Sequence, residues 1–278
     1  MIKLHTYTKR RSSLDNISKQ RKKYPDIVMD VIEISDIILE VLDARFIDET
    51  RNKELEEYIK KKGKTIIYVI NKIDLADSQK VREIIASNNL YPYAFISCKN
   101  RIGGKILRDT IKIEAGRIEN DYERKQVGII GYPNTGKSSL INLLSGKAAA
   151  KISSESGFTK SMQKIRLTKE ILLLDTPGLI PLTENSNIYA KDLIKHAKIG
   201  IRNYDKVKDP EMIVFDLMTN FPGVFEKYYN IEANGDYDIL IEKLGKKRKF
   251  LRKGGEVNED RTARSVLKDW QEDKIKTE

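Results

Sequence analysis

Short runs of consecutive apolar residues alternate with longer mixed segments over the first 180 residues of the chain. Runs of this length, rich in Ile, Val and Leu, predict strands that are buried on both faces. Five such strands are predicted, at 37–42, 65–70, 93–97, 126–131 and 170–175. Between the first two, the segment 50–63 predicts a helix that ends at Gly63. Strands that alternate with helices favour βαβ units, so the sequence predicts an α/β fold with a mostly parallel sheet and helices on both faces.

The pattern changes after residue 181, where helical spacing replaces the short apolar runs. Four helical segments are predicted, at 189–204, 211–220, 225–229 and 236–244, with no strand after them. We therefore expect a basic N-terminal segment at 1–25, an α/β domain at 26–182 and a helical, basic domain at 183–278.

The charge is unevenly distributed. The 278 residues include 52 Lys and Arg against 41 Asp and Glu, a formal net charge of +11. Residues 1–25 hold eight basic residues and one acidic residue, and residues 243–253 hold seven basic residues and no acid. Without these two blocks the chain is slightly acidic. Each block could be a solvated arm or a phosphate-binding surface, and Phe250 and Leu251 inside the second block favour a surface that docks.

A nucleic-acid partner would contact these two blocks through their basic side chains. The candidate RNA-binding residues are Arg10, Arg11, Lys243, Lys246, Lys247, Arg248, Lys249, Arg252 and Lys253. The mean hydropathy of −0.50 and the lack of a long apolar run predict no membrane span and no membrane partner. The N-terminus has no secretory pattern, and the single cysteine, Cys98, suits a reducing compartment. We therefore expect a cytoplasmic protein.

The run GYPNTGKS at 131–138 follows a predicted strand and precedes an apolar helical pattern. It fits the phosphate-loop pattern, in which glycines let backbone N–H groups surround phosphates at a helix N-terminus. Lys137 would meet the β- and γ-phosphates, and Ser138 would reach Mg²⁺. The candidate nucleotide-binding residues of this loop are Asn134, Thr135, Gly136, Lys137, Ser138 and Ser139. The sequence therefore predicts a nucleotide-phosphate site.

A second phosphate-side motif, DTPG at 175–178, ends the predicted strand 170–175. An aspartate at the carboxyl end of a buried strand faces the ligand crevice of an open α/β sheet. Asp175 would hold Mg²⁺ through water, and the Gly178 N–H would sense a γ-phosphate. Thr159, in the polar loop between the two motifs, would place its hydroxyl on Mg²⁺ when a triphosphate is bound.

The base is indicated by NKID at 71–74, at the end of the predicted strand 65–70. The Asp74 carboxylate would accept hydrogen bonds from the N1–H and N2 amino groups of guanine, which adenine does not offer. Asn71 would bond the base edge and tie the loop, and the Lys72 stem would lie along the purine plane. At the end of the next strand, Ser97, Cys98 and Lys99 resemble the SAK element, whose backbone N–H meets guanine O6.

The order of these motifs is permuted. Ordinary small GTPases have the phosphate-loop, threonine and DxxG elements first and the NKxD and SAK elements last, whereas here NKID and SCK come first. This order is the signature of circularly permuted GTPases. The chain resembles the YlqF/RbgA and YawG group of ribosome-assembly GTPases. Its Asp43-Ala44-Arg45 motif with the following Arg51, and its C-terminal stretch 245–275, are similar to the corresponding segments of that group.

This resemblance implies a circularly permuted P-loop GTPase domain followed by a C-terminal helical domain. It also implies GTP as substrate, Mg²⁺ as cofactor, and binding to ribosomal RNA in precursors of the large ribosomal subunit. DNA is not expected as a partner. Two alternatives stay open at this point: a GTP-regulated RNA-binding module with little hydrolysis, and a GTPase that acts in RNA modification or at a membrane.

The residues that would catalyse hydrolysis lie around the DTPG motif and the phosphate loop. Leu179 occupies the position where many GTPases carry a water-orienting glutamine. Related hydrophobic-substituted GTPases use K⁺ held partly by a phosphate-loop asparagine, and Asn134 stands at that position. We therefore expect slow intrinsic hydrolysis that K⁺ and the ribosomal particle accelerate. The candidate catalytic residues are Lys137, Thr159, Asn134 and Gly178, whereas His5 lacks the glycine-histidine context of the family and His196 is expected on a helix surface.

Overall fold

A computed structural model describes residues 26–119, 124–146, 163–176, 178 and 190–277. Within these ranges, six strands form one sheet in the order β3-β2-β1-β4-β6-β5. The strands are β1 Ile37–Asp43, β2 Thr65–Asn71, β3 Tyr93–Phe95, β4 Lys125–Ile130, β5 Gln163–Arg166 and β6 Ile171–Asp175. Neighbouring strands are parallel except for β5, which runs antiparallel to β6. The mostly parallel α/β sheet predicted from the sequence is confirmed.

The strand order fixes where a ligand crevice lies. From β1 the chain moves outward through β2 to β3, and it then returns to place β4 on the other side of β1. The crevice between the carboxyl ends of β1 and β4 is therefore the switch point of the sheet, where open α/β folds bind ligands. The Asp43-Ala44-Arg45 motif follows β1 and the phosphate loop follows β4.

Apolar layers cover both faces of the sheet. In β1, Ile38 and Leu42 pack into one layer, whereas Ile37, Leu39 and Val41 pack into the other. This double burial explains why the strand sequences are continuous apolar runs. The helices around the sheet are α1 Asp26–Ile34, α2 Ile47–Thr50, α3 Lys53–Lys61, α4 Ser78–Ser87, α5 Gly104–Gly116 and α6 Lys137–Ser145.

The C-terminal part that the structure describes is helical, as predicted. Its helices are α7 Ala190–Lys198, α8 Pro210–Asn220, α9 Val224–Tyr229, α10 Tyr237–Lys247 and α11 Glu259–Gln271. Their shared core is built around the fully buried Trp270, with the rings of Phe221 and Phe225 at 5.2 and 5.7 Å. None of the helices in the described ranges is both long and apolar enough to cross a membrane.

Two sequence predictions in this region are wrong. The helix predicted at 189–204 ends at Lys198, because Gly200 takes φ +76° and the Ile201 N–H bonds back to the His196 carbonyl, a pattern that terminates helices. His196 is not on the surface: it is only 5% exposed, because the face of α7 that carries it packs into the helical core.

The helical part packs directly on the carboxyl edge of the sheet. Phe46, which follows β1, inserts into the helical core with its ring centroid 5.8 Å from those of Phe221 and Trp270. Tyr132 of the phosphate loop belongs to the same core. The domain boundary predicted near residue 182 and the predicted N-terminal segment both lie outside the described residues.

Candidate nucleotide-binding site

A cavity of about 850 Å³ opens at the carboxyl edge of the sheet. One wall comes from the motifs found in the sequence: Asn71, Lys72, Asp74, Cys98, Lys99, Asn134, Gly136 and Ser139. The opposite wall comes from the helical region: Lys198, Ile199, Gly200, Asn203, Tyr204, Gln271, Glu272 and Asp273. The sheet thus brings together motifs that are separated along the chain, and the helices enclose them.

The phosphate loop turns from β4 into α6. Gly136 has φ +100°, and a Cβ at this position would lie 2.2 Å from Asn71 Nδ2, so only glycine fits. The loop therefore presents its backbone at the N-terminus of α6, where orphan N–H groups favour an anion. Ser138 and Ser139 occupy the first turn of α6.

Lys137 lies folded back on its own loop. Its Nζ donates to the carbonyl oxygens of Gly131 at 2.9 Å and Tyr132 at 2.7 Å. Burial lowers the pKa of Lys137 to about 8, although the Asp175 carboxylate acts in the opposite direction. Burial likewise raises the pKa of Asp175 to about 6, against the effect of Lys137. A bound phosphate would stabilise the charged form of Lys137, and a bound cation would stabilise the charged form of Asp175.

Asp175 ends β6 beside the phosphate loop. Its Oδ1 is buried and has no hydrogen-bond partner among the described residues. Gly178 lies so close to the loop that a Cβ there would come within 2.7 Å of Pro133 Cγ. Together with Ser138 at the start of α6, the unpaired carboxylate oxygen gives oxygen ligands of the type that Mg²⁺ prefers. Thr159, the other predicted Mg²⁺ ligand, lies outside the described residues.

Asn71 connects the two halves of the predicted site. Its Nδ2 donates to the Thr135 carbonyl of the phosphate loop at 2.7 Å, and its Oδ1 accepts from the Cys98 N–H at 3.2 Å. Asp74 lies in the turn that follows, with Oδ1 buried and without a hydrogen-bond partner among the described residues. Burial raises the pKa of the Cys98 thiol to about 12, so this side chain is neutral and its backbone N–H is its polar contribution.

The Asp43-Ala44-Arg45 motif forms a buried ion pair at the edge of the cavity. The Arg45 guanidinium contacts both Asp43 carboxylate oxygens, with Nε at 3.1 Å and Nη2 at 2.9 Å. Burial alone would raise the pKa of Asp43, but Arg45 and Lys72 hold it well below its usual range. Arg51 differs: it does not line the cavity, and it joins Glu56 of α3, at 2.8 Å, to Asn88 at the end of α4, at 2.9 Å.

The phosphate loop also contacts helix α7. The Asn134 side-chain amide donates to the Gly200 carbonyl, and Asn134 itself has φ +63°. Lys195 Nζ donates to the Tyr132 hydroxyl at 2.9 Å. Sequence reasoning missed the whole helical wall of the cavity, because no motif or spacing connects residues near 200 and 272 with loops that precede them by tens to hundreds of residues.

The basic block 243–253 is divided by the fold. Lys243, Lys246, Lys247, Lys249, Arg252 and Lys253 are exposed, although the Lys247 ammonium donates to the Tyr229 carbonyl. Arg248 is partly buried instead: it pairs with the Asp269 carboxylate at 2.8 Å and lies over the Tyr229 ring. Arg10 and Arg11 lie outside the described residues.

The chain is similar to known GTP-binding proteins over most of its length. A family model described as 50S ribosome-binding GTPase matches residues 126–233. A GTP-binding protein of Methanocaldococcus jannaschii is 40% identical over 263 residues, which cover 91% of this chain and 67% of that protein. Nucleolar GTP-binding protein 2 of Saccharomyces cerevisiae is 34% identical over 269 residues, covering 92% of this chain and 53% of that protein. The chain thus spans about half of this nucleolar relative.

Solved structures show the same fold. The crystal structure of GNP-bound YlqF from T. maritima superimposes with a TM-score of 0.64 over 94% of this chain and 97% of that one, at 22% sequence identity. With the permuted motif order, the shared fold and the sequence similarity to these relatives, the chain belongs to the family of circularly permuted GTP-binding proteins that includes nucleolar GTP-binding protein 2.

Proposed function

We propose that the protein binds GTP with Mg²⁺, hydrolyses it to GDP and phosphate, and controls a step in assembly of the large ribosomal subunit. The observation that carries the proposal is that three of the sequence motifs meet in one cavity at the carboxyl edge of the sheet. The phosphate loop, the NKID turn and the SCK loop all line it, and Asp175 lies buried beside the phosphate loop. The name of the Methanocaldococcus jannaschii relative, a GTP-binding protein, supports the nucleotide, and the description of the matching family model, 50S ribosome-binding GTPase, supports the particle.

In this proposal different residues contact the base, the phosphates and Mg²⁺. Asp74 would accept the paired guanine donors, and Lys137 would leave the Gly131 and Tyr132 carbonyls to meet the phosphates. Ser138 and Asp175 would hold Mg²⁺, which neutralises charge on the phosphates. The Gly178 N–H, beside Pro133, would contact the γ-phosphate. Water would attack the γ-phosphorus, the bond to the β–γ bridging oxygen would break, and GDP and phosphate would leave.

Hydrolysis is proposed to be slow and to depend on K⁺ at Asn134. The Asn134 amide nitrogen is engaged by the Gly200 carbonyl, so its oxygen is the atom with cation-binding chemistry. This contact also places the proposed K⁺ ligand at the junction between the phosphate loop and α7. A ribosomal particle that moves α7 would therefore act on the same ligand.

The potassium proposal is tested by measuring GTP turnover in potassium and in sodium. We expect faster turnover in potassium, and loss of the difference in Asn134→Gly, which keeps the positive φ that this position requires. Asn100→Ala, at an exposed asparagine that does not line the cavity, is the matched control and should keep the wild-type ratio. Equal rates in both salts for the wild-type chain would contradict the proposal.

Nucleotide state is proposed to control binding to ribosomal RNA. The segment after Gly178 leads into α7, and the phosphate loop is contacted by Lys195 of α7 and by the Gly200 carbonyl in the turn that ends this helix. A change at the γ-phosphate would therefore reach the helical region that carries the exposed part of the basic block. We place this activity in the cytoplasm, where ribosomal precursors would be met.

The RNA surface is tested by charge reversal at exposed positions. Lys249→Glu with Lys253→Glu should weaken binding to ribosomal RNA more than Lys60→Glu with Lys61→Glu, a pair that is also exposed, on α3. Arg248 is left intact, because its ion pair with Asp269 supports the fold. Binding should also weaken steeply with salt, since phosphate contacts release counterions. Equal losses for the two pairs would exclude this surface.

A further inference from the structure

The turn that follows helix α11 lies against the base-recognition loops. The Asp273 carboxylate is 3.1 Å from Arg45 Nη2 and 3.2 Å from Lys72 Nζ. The Asp273 carbonyl accepts a hydrogen bond from Lys99 Nζ at 3.0 Å. One residue of the C-terminal helical region thus meets a cation from each of three motifs: the Asp43-Ala44-Arg45 motif, NKID and SCK.

The backbone at Asp273 is of a kind that normally favours glycine. The Asp273 N–H bonds to the Trp270 carbonyl and the Lys274 N–H bonds to the Asp269 carbonyl, which is the Schellman pattern at a helix end. Asp273 occupies the left-handed position of this pattern, with φ +55°. Glycine would suit that conformation better than aspartate. The helix end therefore does not explain the aspartate, whereas the ion pairs of its carboxylate do.

Lys72 is the residue through which Asp273 acts on the cavity. The Lys72 ammonium lies between two carboxylates, at 3.3 Å from Asp43 and 3.2 Å from Asp273. The Lys72 side chain lines the cavity beside Asp74. A lysine stem has large rotamer freedom, and holding its ammonium at both sides restricts that freedom before a ligand arrives. Restricting a contact group in advance lowers the entropic cost of binding.

The chain beyond the turn is fixed by contacts that do not involve the Asp273 carboxylate. The Thr277 N–H and hydroxyl both donate to the Leu75 carbonyl, at 2.7 and 2.8 Å. Ile275, which lies between Asp273 and Thr277 in the sequence, is fully buried. Removing the carboxylate should therefore release one of the two contacts that hold the Lys72 ammonium, leaving only Asp43, while the C-terminal segment stays docked.

We infer that Asp273 is a positioning residue of the guanine-nucleotide site, and that it acts by holding Lys72 beside the base. The inference rests on the proposed function, since it takes the cavity ligand to be a guanine nucleotide. It makes the C-terminal helical region a part of the nucleotide site. The docking of α11 and the affinity for nucleotide are then linked, because each favours the other.

The test is a double-mutant cycle on the full chain, read by the dissociation constant for fluorescent N-methylanthraniloyl-GDP. Asp273→Gly should bind this GDP about tenfold more weakly than wild type, from the restored freedom of one long side chain and its neighbours. Lys72→Ala should weaken binding at least as much. The double variant should bind no more weakly than Lys72→Ala alone, because Asp273 acts through Lys72.

A control and a stability measurement separate positioning from a structural role. Asp260→Asn removes another ion-paired carboxylate of α11, which contacts Arg264 at 2.8 Å and does not line the cavity, and it should bind GDP like wild type. Asp273→Gly should unfold, without nucleotide, at no lower temperature than wild type, since glycine suits φ +55°. Wild-type affinity in Asp273→Gly, or additive losses in the double variant, would overturn the inference. Failure of the wild-type chain itself to bind GDP would overturn the proposed function and this inference with it.

Discussion

At the scale of single residues, two buried carboxylate oxygens stand out. Asp74 Oδ1 and Asp175 Oδ1 are both buried and have no hydrogen-bond partner among the described residues. A buried acceptor without a donor costs about 1–3 kcal/mol, more when it is charged. Each oxygen lies where the sequence motifs predict a ligand group, guanine at one and a Mg²⁺-bound phosphate at the other. A bound nucleotide would relieve both costs.

Asp74→Asn should change the base that the protein prefers. An amide replaces one acceptor oxygen with a donor nitrogen, so it would face the guanine amino group with a like donor but would complement the C2 carbonyl of xanthine. We expect GDP to bind about 10–100-fold more weakly, since a paired contact of this kind contributes about 1–3 kcal/mol. Xanthosine diphosphate should bind more tightly than it does to wild type. Competition titrations with both nucleotides measure the exchange, and an unchanged preference for GDP would argue against Asp74 as the base acceptor.

Affinity for Mg²⁺ and GDP should have a maximum between about pH 6 and pH 8. Asp175 binds the cation when ionised, so affinity should fall as the pH drops through its pKa of about 6. Lys137 binds phosphate when protonated, so affinity should also fall as the pH rises through its pKa of about 8. Asp175→Asn should remove the part of the affinity loss below pH 6 that is due to protonation of this carboxylate. The part that is due to protonation of the nucleotide should remain. Calorimetric titrations from pH 5.5 to 9 that show constant affinity would refute these assignments.

The sequence predicts the roles of residues that belong to short motifs. It does not predict which distant residues contact those motifs in the folded protein. Lys137 and Asp74 follow from short patterns whose spacing is local. Asp273 and Gly200 contact the same loops only because the helical region folds back over the sheet edge. His196 was predicted on the surface and is buried, because its environment depends on what packs on α7.

At the scale of elements, the strands were predictable because burial on both faces leaves a continuous apolar run. β5 was missed because a four-residue strand at the sheet edge needs no such run. Helix α11 was missed as well, although Ala263, Val266, Leu267 and Trp270 lie at helical spacing and are all fully buried. Its exposed positions are so strongly charged that the apolar stripe is narrow, which makes the helical spacing hard to recognise in the sequence.

The packing of helix α1 on β4 provides a test of the fold at this scale. A Cβ on Gly128 would lie 2.5 Å from Ser35 Oγ and 2.8 Å from Val31 Cγ1. Gly128→Ala should therefore lower the free energy of unfolding by about 1–3 kcal/mol. Gly116→Ala, at the end of α5 with nothing near the new methyl group, should be neutral or slightly stabilising. Denaturant unfolding compares the two, and similar stabilities would mean that α1 does not pack as described.

At the scale of the whole molecule, permutation changes what the nucleotide can move. The DTPG motif is followed in the sequence by the segment leading to α7, and no strand follows β6 among the described residues. The same helical region supplies one wall of the cavity. The net charge of +11 by itself indicates only an anionic partner. Part of this charge comes from the basic block at 243–253, which belongs to the same helical region that lines the nucleotide site.

Control of particle binding by the nucleotide is tested by sedimenting the full chain with precursors of the large ribosomal subunit in a nonhydrolysable GTP analogue, in GDP and without nucleotide. We expect the largest share of the protein to sediment with particles in the GTP analogue, and added salt to reduce this share. Equal sedimentation in the analogue and in GDP would contradict it.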